Sequence, residues 1–212
     1  MLFRSLSLQR SAPVRFSLVA VNLDQKQPGF PPDVLPAYLR ALGVDFHVIE
    51  QDTYSVVKRV VPEGRTMCSL CSRMRRGALY KWAAANGITR IALGHHRDDI
   101  VETLFLNLFF GGKLKAMAPK LRSEDGQHVV IRPLVYVGED EARQYTKECE
   151  LPIIGCCCSV CGDLSLQRQR AKKLIMQLEL EHPGVKISML KALGNVAPRH
   201  LLDTRLNPPA EL

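Results

Sequence analysis

The sequence predicts an α/β fold in which helices flank a parallel sheet, and three observations support this prediction. Short apolar segments rich in β-forming residues lack polar alternation, which is typical of strands buried in a parallel sheet. Helical segments separate them, and parallel strands need such crossover connections. The chain has 212 residues, 46% of them apolar, which is enough for a sizeable packed core.

Each predicted element has its own local signal. Apolar runs predict strands at 16–22, 44–49, 88–93 and 129–131, and capping and glycine signals predict helices at 33–42, 73–86, 98–110, 139–149 and 166–181. From about residue 139 the composition changes to helices around a cysteine-rich loop. We therefore expect an α/β domain at 1–135 and a helical region with cysteines and a basic helix at 136–212.

Six of the seven cysteines fall in two tight groups, which predicts a metal site. Cys68 and Cys71 form a CxxC directly before a predicted helix, and the second group contains Cys156, Cys157, Cys158 and Cys161. A two-residue gap lets both sulfurs reach one metal ion. Spacing alone leaves zinc and an iron–sulfur cluster both open. No secretory signal is visible, so we expect a reducing, cytoplasmic location and no membrane association.

A second motif predicts a nucleotide site at the carboxyl ends of the strands. Gly94-His95-His96-Arg97-Asp98-Asp99 follows one predicted strand and opens a helix, and Asp24 follows another. Ligands of parallel α/β sheets bind at such strand ends. Asp98 can cap the helix, and the histidines can contact phosphate or ribose. The structural alternative is a simple Asp cap with surface histidines.

The net charge of +8 favours a polyanionic partner. Basic side chains occur next to the first CxxC, after the histidine motif and in the predicted last helix. We expect these sets to contact RNA phosphates, and the residues are Arg73, Arg75, Arg76, Lys113, Lys115, Arg168 and Arg170.

Together the motifs resemble the tRNA 2-thiocytidine biosynthesis proteins, or tRNA-cytidine(32) 2-sulfurtransferases, of the PP-loop ATP pyrophosphatase superfamily. The resemblance covers roughly residues 5–205 and places several specific motifs in the same order. The matching stretches are 11–13, 16–30, 68–73, 76–77, 92–99, 103–107, 111–112, 119–121, 131–134, 152–154, 161–162 and 166–169.

The chain departs from the family pattern at two places. The family's phosphate loop, Ser-Gly-Gly-x-Asp-Ser, would precede residue 1, so we expect a truncated gene model or fragment that binds ATP poorly. The family's second cysteine motif is usually a single CxxC, whereas this chain has Gly155-Cys-Cys-Cys-Ser-Val-Cys-Gly162. The third cluster ligand implied by the resemblance is therefore Cys161, with Cys158 and Cys156 as alternatives.

The resemblance implies a PP-loop fold of the adenine nucleotide alpha-hydrolase-like type and an ATP-dependent thiolation of cytidine 32 in tRNA. It implies ATP, Mg²⁺ and a [4Fe–4S] cluster as cofactors. Catalytic roles would fall on Cys68, Cys71 and Cys161, and cofactor contacts on Asp24, Gly94, His95, His96, Asp98 and Asp99. A cysteine desulfurase would donate the sulfur, and the protein would form a homodimer.

Three other hypotheses remain open from the sequence. Cys71 and Cys161 could instead act as redox partners in a persulfide-based thiolase. The chain could be a zinc-stabilised RNA-binding module without catalysis. A sulfurtransferase acting on a small molecule is disfavoured by the positive charge.

Overall fold

The computed structural model describes residues 2–62, 67–155 and 166–206. The strands are β1 (Ala20–Asp24), β2 (Phe46–Glu50), β3 (Arg90–Ala92), β4 (Lys120–Arg122) and β5 (Val129–Ile131). The helices are α1 (Leu2–Ser11), α2 (Val34–Ala41), α3 (Thr53–Val60), α4 (Cys68–Ala85), α5 (Arg97–Phe110), α6 (Glu139–Glu148), α7 (Gln167–Glu181) and α8 (Val185–Ala192), followed by a 3-10 helix (Pro198–His200).

The first sheet consists of β1 and β2, which run parallel as predicted. Their register pairs Asp24 with Glu50 at the carboxyl ends of the two strands. Helix α2 connects the strands and buries Leu39, while α3 and α4 bury Val57 and Ala83. The sheet thus places two carboxylates side by side at the edge where the connecting loops begin.

The second sheet contains a parallel pair, as predicted, and one antiparallel pair. Strand β5 pairs in parallel with β3, but β4 pairs antiparallel with β5. The short connection from β4 to β5 makes this pairing possible, because antiparallel neighbours need only a tight turn. Gly126 has φ +73° in that turn, a conformation that favours glycine.

Helices α5, α7 and α8 pack against one another around an apolar centre. Ile100 and Val101 on α5 are essentially inaccessible to solvent, and Ala171 and Ile175 on α7 are buried. The positions 171 and 175 are one helical turn apart, so they lie on the same face of α7. The sequence predicted α5 and α7, but it did not predict α8.

Helix α3 was also missed, although its signal is present in the sequence. The Asp52 side chain accepts a hydrogen bond from the Ser55 backbone N–H at 2.9 Å and caps the helix. Thr53 and Val57, four residues apart, are its buried positions. The helix has only eight residues, which is too short for a clear hydrophobic period.

The described residues divide into two compact units. The first unit takes those within 1–96 and 118–164, and the second takes those within 97–117 and 165–212. The domains expected at 1–135 and 136–212 stay a prediction. Within the described ranges, no helix is long and apolar enough to cross a membrane.

Candidate functional site

The first CxxC lies on the opening turn of α4, in the first unit. The prediction that the helix starts after this motif, near residue 73, was wrong, because α4 begins at Cys68 itself. The Cys71 N–H donates to the Met67 carbonyl at 3.0 Å and closes that turn. Residues three apart share one helix face, so the two sulfurs project from the same side.

The Cys71 sulfur contacts the loop that follows β1. Its thiol lies 3.3 Å from the Gln25 side-chain oxygen, which also accepts a hydrogen bond from the Thr53 hydroxyl at 3.1 Å. Thr53 is fully buried at the start of α3. The CxxC turn is therefore linked to the carboxyl end of β1, where the resemblance predicts nucleotide contacts.

Asp24 is buried at the end of β1 and is neutralised by Lys26. The Lys26 ammonium lies 2.8 Å from a carboxylate oxygen of Asp24 and 2.8 Å from one of Glu50. The Lys26 side chain lowers the pKa of Asp24, and the two carboxylates raise the pKa of Lys26 to about 12. Lys26 has φ +60°, and its N–H bonds to Asp24, so the turn holds the ammonium over both acids.

The second cysteine group lies outside the described residues, so its ligands stay a prediction. This applies to Cys156, Cys158 and Cys161. Among the residues that the structure does describe, no group of three or more His, Cys, Asp or Glu side chains could hold a metal ion. Of the three cysteine ligands that the resemblance implies, Cys68 and Cys71 lie on the described opening turn of α4.

The histidine motif begins in the first unit and continues into the second. Gly94 is exposed and the two histidines are half-buried directly after β3. The Leu93 N–H donates to the Ile131 carbonyl, and His96 forms an isolated parallel bridge with Leu134. His95 and His96 therefore lie at a strand's carboxyl end, as the sequence predicted.

The aspartates of the same motif lie in the second unit, inside the first turn of α5. Helix α5 begins at Arg97, so Asp98 is its second residue and not the cap that the sequence predicted. Asp98 is buried and its carboxylate lies 2.8 Å from the Lys186 ammonium of α8. Arg168 of α7 pairs with Asp99 at 3.2 Å and with Glu102 at 2.8 Å. The acidic turn therefore ties α5 to both other helices.

The predicted RNA contacts have different surroundings. Arg73, Arg75 and Arg76 are exposed on α4, the helix that opens with the CxxC. Lys113 and Lys115 are exposed after α5, where Asn107 bonds the Lys115 carbonyl, and Arg170 is exposed on α7. Arg168 is the exception, because two carboxylates of its own unit hold its guanidinium.

The sequence analysis missed several side chains that contact the predicted site residues or lie near them. Gln25 and Lys26 adjoin the predicted Asp24, so their position after a strand was an available signal. Lys186 gave no signal, because it is 88 positions from its partner Asp98. Arg132 follows β5, and burial is the main cause that lowers its pKa.

Comparison with known proteins identifies the family. The model of the PP-loop domain matches residues 40–154. The tRNA-cytidine(32) 2-sulfurtransferase of Marinomonas sp. (strain MWYL1) is 60% identical over 201 residues, which cover 94% of this chain and 71% of that protein. The protein of the same name from Xanthomonas euvesicatoria pv. vesicatoria (strain 85-10) is 61% identical, over 95% of this chain and 66% of that protein.

A solved structure shows the same fold. It is the U34-tRNA thiolase of Methanococcus maripaludis with its [4Fe-4S] cluster, with a TM-score of 0.67 and 20% identity over 99% of this chain and 68% of that one. The chain thus spans about two thirds of the length of the proteins it matches. Its extended identity with the curated relatives and its PP-loop match show that it belongs to the PP-loop tRNA-cytidine(32) 2-sulfurtransferase family.

Proposed function

We propose that this chain takes part in the ATP-dependent 2-thiolation of cytidine 32 in tRNA. The observation that carries the proposal is the opening turn of α4, which projects Cys68 and Cys71 from one face beside the carboxyl end of β1. Paired sulfurs beside a strand end bring a sulfur site next to the usual ligand edge of a parallel sheet. The family's name assigns the same chemistry to the relatives.

The reaction replaces the oxygen at C2 of the cytosine by sulfur. Attack of that oxygen on the α-phosphate of ATP releases pyrophosphate and leaves an adenylated base. Sulfur then forms a bond to C2, and the C–O bond breaks with departure of AMP. Adenylation is needed because an amide-like oxygen is a poor leaving group. Extruding a base from a single-stranded anticodon loop into a site also costs little free energy, because no base pair has to be broken.

We assign the sulfur side of this chemistry to Cys68, Cys71 and a cysteine of the second group, with Cys161 preferred over Cys158 and Cys156. Three cysteines would hold a [4Fe–4S] cluster, which supplies an iron without a protein ligand that can carry sulfur. The two thiols fit this role, since they project from one face of the same helical turn and can reach one metal ion. Cys68 is exposed, so an incoming ligand can reach this turn.

We assign the nucleotide side to Asp24, Gly94, His95 and His96, which follow strands, with Mg²⁺ neutralising the phosphates. Asp98 and Asp99 belong to the same proposal, but ligand contact at their paired oxygens would have to compete with Lys186 and Arg168.

We assign tRNA binding to the exposed arginines of α4, supported by Lys113, Lys115 and Arg170. The excess positive charge suits an RNA backbone, because each cation displaces counterions from phosphates. A cysteine desulfurase as sulfur donor, a homodimer and a cytoplasmic location complete the proposal.

The test is the formation of 2-thiocytidine by the anaerobically reconstituted chain. The chain would be incubated with a tRNA transcript, Mg²⁺, sulfide and a high concentration of ATP, because the sequence predicts weak ATP binding. The digested nucleosides would be measured by mass spectrometry. We expect 2-thiocytidine that requires ATP and that disappears when position 32 is uridine. Cys71→Ala should abolish it, whereas Cys149→Ala, which changes an exposed cysteine outside the motif, should not. Absence of both 2-thiocytidine and pyrophosphate release would contradict the proposal.

A further inference from the structure

Gln25 is the side chain that joins the Cys71 sulfur to the body of the first unit. Its backbone is fixed, because its carbonyl accepts from the Tyr54 N–H at 3.2 Å. Its carboxamide is fixed by the fully buried Thr53 hydroxyl at 3.1 Å. The Cys71 thiol lies 3.3 Å from the same carboxamide oxygen. Gln25 therefore has a defined position and little freedom to move away from the sulfur.

The chemistry of the sulfur sets what Gln25 must do when Cys71 is a ligand. A neutral thiol donates its hydrogen to the carboxamide oxygen, as the structure has it. A thiolate bound to a metal has no hydrogen to donate and only accepts. The carboxamide oxygen would then face an electron-rich sulfur, which is repulsive.

A half-turn of the carboxamide removes this repulsion. Oxygen and nitrogen of a carboxamide have nearly the same shape, so the turn needs no extra space. The nitrogen carries two hydrogens, and the two neighbours of that position are the Cys71 sulfur and the Thr53 hydroxyl oxygen. Both can accept, so one hydrogen serves each once the Thr53 hydroxyl hydrogen has turned away from the carboxamide.

We propose that Gln25 is a positioning residue for Cys71, which donates an N–H hydrogen bond to the Cys71 sulfur when that sulfur is a metal ligand. This inference rests on the proposed cluster role of Cys71. Hydrogen bonds to the sulfurs of an iron–sulfur cluster raise its reduction potential. Gln25 thereby sets how readily the cluster accepts an electron, as well as where Cys71 points.

The primary test is the reduction potential of the reconstituted cluster in matched variants. Gln25→Glu keeps the shape but cannot donate, Gln25→Leu removes all polarity, and Gln144→Leu makes the same change on the exposed face of α6. We expect the potential to become more negative in Gln25→Leu and more negative still in Gln25→Glu, which adds a negative charge. Gln144→Leu should match the unmodified chain. Equal potentials in all four proteins would overturn the inference.

A second measurement does not need a cluster. The rate of alkylation of Cys71 by iodoacetamide in the metal-free chain is compared with that of Cys149 in the same molecule, by mass spectrometry of the peptides. Loss of a hydrogen bond to an anionic sulfur changes the thiolate population roughly tenfold. A stabilised thiolate is also a weaker nucleophile. The change in the alkylation rate is therefore only about half as large, on a logarithmic scale, as the change in the thiolate population.

We therefore expect Cys71 to react up to about threefold more slowly in Gln25→Leu, because loss of the thiol's own bond to the Gln25 oxygen offsets part of the effect. It should react more slowly again in Gln25→Glu. An unchanged or faster rate would overturn the inference, because it would mean that Gln25 acts only as an acceptor for the thiol. Absence of iron from every protein, with the expected slowing of alkylation, would overturn the cluster proposal and leave Gln25 as a donor to the Cys71 sulfur.

Discussion

The acidic residues of the two compact units are neutralised in different ways. In the first unit, Asp24 and Glu50 share the single Lys26 ammonium, whose side chain is 45% exposed. In the second unit, the Lys186 side chain that pairs with Asp98 is only 13% exposed. The first cation comes from the adjacent turn, whereas the second comes from a helix far along the chain.

The difference suggests two roles. The carboxylates of the first unit can exchange their ionic partner, whereas the ion pair of the second unit holds helices together. A pair whose cation is exposed contributes less net stability, because water reaches the Lys26 ammonium and screens its attraction to the buried Asp24 carboxylate. A buried charge that loses its partner keeps its desolvation cost, so breaking the pair is expensive. We therefore expect changes in the second unit to affect stability and changes at the first unit's sulfur and strand ends to affect chemistry.

The largest effect on stability should come from Lys186→Met, which leaves the buried Asp98 carboxylate without its ammonium. We expect the free energy of unfolding to fall by about 3 kcal/mol, measured by urea denaturation with circular dichroism. Lys191→Met removes an exposed lysine from the same helix and should change the stability by less than about 0.5 kcal/mol. Equal losses in the two variants would remove the proposed contrast between buried and exposed charge.

Arg168 and Arg75 distinguish a structural arginine from an RNA contact. Arg168→Ala should lower the free energy of unfolding by roughly 1 to 2 kcal/mol, because Glu102 is buried and loses a charged hydrogen bond. Arg75→Ala should leave stability unchanged but weaken tRNA binding, with a salt dependence reduced by about one counterion. Fluorescence anisotropy over a range of salt concentrations measures the second effect. A weaker salt dependence in Arg168→Ala alone would reverse the two assignments.

The smallest effect should come from Lys26→Met, and it should depend on pH. Lys26 lowers the folded-state pKa of Asp24 below its unfolded value of about 3.9. The stability from this pair is therefore fully present above about pH 4 and is lost as the pH falls through the lower folded-state pKa. We expect the difference between Lys26→Met and the unmodified chain to be constant from pH 7 to about pH 5 and to shrink in acid.

The control for this pH dependence is Lys81→Met, an exposed change on α4. Its difference from the unmodified chain should be small at every pH. A Lys26→Met difference that grows as the pH falls would contradict the predicted role of Asp24, since the sign of the linkage would be opposite.

Local patterns predicted much of the fold but not the pairing of charges. The β1 and β2 strands, the parallel pairing and helix α5 could be predicted, since apolar runs and glycine stops are local signals. Strand β4 was missed because three exposed residues carry no apolar pattern. The Asp98–Lys186 pair could not be predicted, because packing of α5 against α8 brings the two residues together.

At the candidate site, too, local patterns could be predicted but long-range contacts could not. Spacing singled out Cys68 and Cys71 as a candidate ligand pair, because two thiols three residues apart can reach one metal ion. It placed the helix too late, since a CxxC carries no usual cap residue. The sequence could not predict Gln25 as a partner of Cys71, because a single glutamine in a turn matches no binding motif. Only the structure shows its 3.3 Å contact with the sulfur.

The measurement that tests the account most directly is the iron, acid-labile sulfide and zinc content of the anaerobically reconstituted chain. The account predicts about four irons and four sulfides per chain. It also predicts their loss in Cys68→Ser and Cys71→Ser and their retention in Cys149→Ser. One zinc without iron or sulfide, even after reconstitution, would contradict the cluster and favour a zinc-stabilised RNA-binding module. No metal at all would favour persulfide chemistry between Cys71 and Cys161.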